Sequence, residues 1–172
     1  MSKSFLEEIF KINLILLFII IFFSSLNTLI TFYGYSIQLE LICIFFFVVY
    51  KNYSISLLNL ILLGLLKDGI LNHQIGTTSI LFITFKLLMN LKDFDFKKEK
   101  TSQVWLDFSL LSLASFLILS LIVRVFYGYP FFINVKFHLS NWLITAAVYP
   151  IIIFILNKLS KALNIKNLND GL

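Results

Sequence analysis

The residues best placed to do chemistry fall in one short stretch, Leu62 to Gly76, where a carboxylate, Asp68, follows Gly64 by four positions. That spacing puts the two on one helix face. A glycine there lets a neighbouring helix approach closely. The carboxylate can then hydrogen-bond across the contact, cap the next helix, or sit as a charge at a water-exposed helix end beside Lys67. Gly76 opens the following apolar run, and Thr77, Thr78 and Ser79 supply small polar residues at its start. Catalysis needs partners that converge on such a carboxylate, and few exist. The two histidines, His73 and His138, lie outside any His-Glu-x-x-His spacing. The sequence has neither a Gly-x-Ser-x-Gly elbow nor a phosphate-cradling Gly-x-x-x-x-Gly-Lys. Cys43 is the single cysteine, which rules out an intrachain disulfide and a cysteine-based metal cluster. No catalytic residue, metal or cofactor is expected.

The elements that must position this stretch are apolar. Of 172 residues, 59 % are hydrophobic and 13 % charged, and the mean hydropathy is +0.94. A water-soluble domain of this size cannot hide so much apolar surface. No residue from Ile12 to Leu39 is charged, a window long enough for the ~20 residues that cross a bilayer. This first run exceeds a signal-peptide core of ~7–15 residues and lacks a small-x-small cleavage step, so it reads as a retained anchor. The expected fold is an all-α bundle of six transmembrane helices forming one domain, 1–172. Its spans are about 12–31, 37–50, 54–71, 75–91, 104–127 and 140–157. The second is short, and fusing it with the third into a re-entrant pair is the alternative count.

Charge orients the bundle. With a cytoplasmic amino terminus, ten of the 14 cations (Lys3, Lys11, Lys51, Lys92, Lys97, Lys98, Lys100, Lys158, Lys161 and Lys166) fall on the inner side. Lys67, Arg124 and Lys136 fall outside, and Lys86 lies within the fourth span, near enough to its inner end to snorkel. This bias satisfies the positive-inside rule and predicts both termini in the cytoplasm. The net charge of +5 is thus explained by topology, and no nucleic-acid stripe of basic and aromatic residues accompanies it. Glu40, Asp107 and Arg124 lie near span ends, within reach of an interface. The aromatic stretch Tyr127 to Trp142 reads as an outer, headgroup-level loop. Phe5, Leu6, Ile9 and Phe10 alternate with charges as a surface-lying turn before the first span.

In the sixth span Asn141, Thr145 and Tyr149 recur at four-residue spacing. They form one polar-edged stripe, with Pro150 removing a backbone donor and kinking the helix. The stripe is expected to meet the Asp68 region inside the bundle.

On these residues the chain resembles the rod shape-determining membrane protein MreD family. That family carries Gly-Leu-x-x-Asp in its third span and a glycine eight residues later, matched by Gly64, Leu65, Asp68 and Gly76. Its last span ends in an aromatic-Pro step, then apolar and basic residues, matched by Tyr149-Pro150 through Lys158. Leu60, Asn72 and Lys67 depart from the family pattern. The resemblance implies a non-enzymatic subunit of the cell-elongation machinery in the bacterial inner membrane. Its expected partners are an MreC-like protein, the MreB cytoskeleton, and SEDS and penicillin-binding cell-wall synthases. Gly64, Asp68, Gly76, Tyr149 and Pro150 would serve helix packing or partner contact. A related fold, the S component of energy-coupling-factor transporters, gives the alternative of a vitamin-binding subunit. The Ala-x-x-x-Ala docking motif of those proteins has no counterpart in the first span, which lacks alanine.

Overall fold

The computed structural model describes residues 14, 15, 17, 18, 21, 22, 36–50, 55–71, 74–91, 101–128 and 131–162. Among these, every regular element is helical. Helix α1 spans Leu39–Phe45 and widens into a π turn over Phe46–Tyr50. Then come α2 (Leu57–Leu71), α3 (Thr77–Asn90), α4 (Thr101–Tyr127) and α5 (Phe131–Ala162). Two helices, over Thr101–Phe126 and Val135–Ala162, are long and apolar enough to cross a membrane. At 1.5 Å per residue they reach ~39 and ~42 Å, whereas the 15 residues of α2 reach only ~22 Å. Among the described residues the all-helical class holds, with five helices of which two have the length and hydropathy of a membrane crossing, and a set of six full-length spans is not seen. The first expected span lies largely outside the described residues, although Leu14, Ile15, Leu17, Phe18, Ile21 and Phe22 are helical.

The sixth expected span starts nine residues early, at Phe131. Most of the stretch Tyr127 to Trp142 is therefore helix rather than loop. Gly128 ends α4 in a left-handed conformation (φ +69°), its N–H bonded to the Arg124 carbonyl at 3.0 Å.

The core is built around α1, every residue of which is buried. Phe45 meets Phe85 of α3, Phe108 of α4 and Tyr149 of α5, at centroid distances of 6.3, 5.3 and 6.0 Å. Tyr149 stacks on Phe108 at 4.5 Å. Its ring therefore belongs to an aromatic core. Helix α4 tolerates its serines because they satisfy themselves. Ser109, Ser112, Ser115 and Ser120 each donate to the carbonyl four residues back, at 2.7–2.9 Å.

Helix α2 is inverted relative to a water-soluble amphipathic helix. It turns Gly64, Lys67 and Asp68 inward with Leu60 and Leu63. Leu58, Leu62, Leu65, Leu66 and Ile70 are exposed.

Candidate functional site

The Gly64–Asp68–Gly76 spacing assembles the joint between α2 and α3. Asp68 is completely buried. Its Oδ2 accepts the Gly76 N–H at 2.7 Å, both carboxylate oxygens accept the Thr78 N–H at 3.2 Å, and the Thr77 hydroxyl donates to Oδ1 at 3.3 Å. The first amides of a helix have no partner within it, and here a carboxylate from the preceding helix supplies one. Negative charge also favours the positive end of the α3 dipole. Of the three expectations for Asp68, capping of the next helix and a hydrogen bond across the contact are both observed, and the water-exposed helix end is excluded by burial. Gly76 adopts φ +96°, a left-handed conformation that glycine enters without steric cost. The turn aims its own N–H and that of Thr78 at one carboxylate.

Gly64 sets the closeness of the same joint. A Cβ at this position would lie 2.5 Å from both the Cα and the N of Ser79. Those are backbone atoms, so a rotamer change cannot clear them. Ser79 uses the approach to donate its hydroxyl to the Ile61 carbonyl at 2.9 Å.

Beside Asp68, Lys67 points into the protein rather than to an outer face. Its side chain is 1 % exposed, as is that of Glu40, and the ammonium lies 2.9 Å from Glu40 Oε2. Lys67 also donates to Gln38 Oε1 at 2.6 Å. No hydrogen bond reaches either Glu40 oxygen among the described residues, so the ammonium is the carboxylate's electrostatic support. A charge that deep in a protein is tolerable only when paired. Of the two readings of Glu40, reach to an interface or a contact between helices, its burial against Lys67 of α2 favours the contact between helices.

The polar stripe of α5 meets the entry to α1. Asn141 Oδ1 accepts the Ser36 N–H at 2.9 Å, and Thr145 Oγ1 accepts the Gln38 N–H at 3.1 Å. Gln38 Nε2 closes back on Ser36 Oγ at 3.1 Å. The stripe and the α2 site therefore belong to one buried layer, linked through Gln38 and Lys67 and not through Asp68. Lys86 of α3 is also buried, with 8 % of its surface exposed, so its stem is covered more completely than snorkelling requires.

Pro150 does not end α5, which continues to Ala162. The missing proline N–H would have bonded the Ala146 carbonyl; instead Trp105 of α4 donates its indole N–H there at 2.9 Å. Trp142 of α5 returns the contact, donating to the Ser109 carbonyl at 2.8 Å. Both pairs obey one antiparallel register, in which residue n of α4 lies level with residue 251 − n of α5.

Sequence reasoning missed the inward Lys67, Gln38 and Trp105. Glu40 and Lys67 are opposite charges in neighbouring apolar segments, the available signal for the first. An indole on a helix that must pair with a proline-containing one was the signal for the last. His138 stacks on Phe116 at 5.6 Å, and His73 lies outside the described residues. Among those residues, no three His, Cys, Asp or Glu side chains gather at one point. Comparison with known protein families, curated protein sequences and solved structures finds no match to this chain.

Proposed function

We propose that this chain is a multi-pass, non-enzymatic scaffold subunit of the bacterial inner membrane. It would act in the cell-elongation machinery that builds peptidoglycan in rod-shaped cells, binding an MreC-like partner. Six crossings with both termini cytoplasmic remain the topology that the charge bias favours. The observation carrying this reading is the joint itself. Three of the four residues of the family-like signature pack or cap, while Leu65 faces outward. Gly64 lies against Ser79, Asp68 holds the α3 amides, and Gly76 forms the turn. A signature devoted to holding two helices together suits a protein whose work is to hold others.

Membrane embedding is supported by α2. Each exposed Leu or Ile on its outer face forgoes ~1.5–3 kcal/mol of burial if that face meets water, and nothing if it meets lipid. The buried Lys67–Glu40 pair fits the same setting, since charges within a membrane protein turn inward and pair.

Depleting the protein from a rod-shaped host tests the function. Rounded cells are expected. Normal rods with impaired vitamin uptake would replace the scaffold with the transport-subunit reading.

A further inference from the structure

We propose that the last three turns of α5 form a binding site for an anionic phospholipid, with Lys158 and Lys161 taking the headgroup phosphate. The proposal rests on the membrane part of the reading above, and on the register between α4 and α5. That register sets Thr101, the first residue of α4, level with Pro150. Residues 151–162 therefore run on past the start of α4 by ~18 Å.

This overhang has two faces. Ile153, Leu156 and Ser160 are buried, while Ile151, Phe154, Ile155 and Leu159 are exposed and apolar, with Lys158 and Lys161 exposed among them. The Lys158 ammonium folds back over the Phe154 ring, 4.6 Å from its centroid. It thus stays beside the apolar surface of the helix. Helix α5 contains no Asp or Glu. Of the described carboxylates, Glu40 is paired with Lys67 and Asp68 is committed to the α3 amides. Asp107 lies level with residue 144, ~21 Å along α5 from Lys158. The described acids are thus spent elsewhere or distant from the two ammonium groups. Apolar side chains for the acyl tails and two cations for a phosphate diester define an anionic glycerophospholipid. A zwitterionic lipid carries its own cation and gains less.

The test uses the full chain, in vesicles of phosphatidylcholine alone or mixed equally with phosphatidylglycerol. After mild detergent extraction, retained lipid is counted by native mass spectrometry. Phosphatidylglycerol is expected to be enriched on the wild type. Each of Lys158→Gln and Lys161→Gln should lower that enrichment about fivefold, the equivalent of ~1 kcal/mol per lysine. Lys158→Arg with Lys161→Arg should preserve it, and raised salt should weaken it. Equal retention of the two lipids, or enrichment unchanged by the glutamine variants, overturns the inference. Failure of the chain to enter vesicles would instead overturn the membrane reading.

Discussion

Replacing Asp68 removes the side chain that holds the first amides of α3, and the cost can be worked from its bonds. Asp68→Ala deletes a cap whose loss alone costs ~0.5–2 kcal/mol. It also strands the N–H of half-buried Gly76 and that of buried Thr78, bonded at 2.7 and 3.2 Å. An unsatisfied buried donor costs ~1–3 kcal/mol. Part of this overlaps with the loss of the cap, so the expected destabilisation is ~3 kcal/mol, or about a hundredfold in the folding constant. Asp68→Asn keeps one acceptor oxygen and should lose about half as much. Thr78→Ala is the control, because the bond uses its backbone N–H and not its hydroxyl, and should cost only the ~1 kcal/mol of a lost buried methyl. The assay is reversible unfolding in mixed detergent micelles, followed by circular dichroism. An Asp68→Ala protein as stable as the Thr78→Ala control would refute the capping argument.

The other joints yield further expectations in the same assay. Gly64→Ala should cost ~1–3 kcal/mol by overpacking, and Ser79→Ala should not rescue it, since the clash is with the Ser79 backbone. Lys67→Met strands a buried carboxylate and should cost ~3–5 kcal/mol. Adding Glu40→Gln should recover much of that, and no recovery would deny that the two side chains depend on each other. Trp105→Phe should cost ~1 kcal/mol through loss of its bond to the Ala146 carbonyl. In a Pro150→Ala background, where the chain supplies its own N–H, the same change should cost measurably less, and equal costs would sever the link between Trp105 and Pro150.

How much of this was legible depends on the range of each contact. The Gly64–Asp68–Gly76 joint spans one turn and one tight loop, so its spacing carries the geometry directly. Lys67 and Glu40 come from separate helices and meet only after folding. Hydropathy and charge-bias rules also assign a lysine at a span end to a loop, and so they place Lys67 outside. The early start of α5 is not legible, because the aromatic residues there point equally to an interfacial loop. Asn141 and Thr145 are visible as a polar stripe. Their partners are not, because the entry to α1 offers backbone N–H groups that no residue type advertises. The serines of α4 read as polar until their i−4 bonds show that they ask nothing of their neighbours.

The central claim is that this helical joint serves assembly rather than chemistry. The most direct measurement is affinity purification of the tagged full chain from membranes in mild detergent, beside its Asp68→Ala variant, with identification of what accompanies each. The account predicts an MreC-like protein together with cell-wall synthases on the wild type, and less of both on the variant. An ATPase transport complex on the wild type, or the same companions undiminished on the variant, would contradict it.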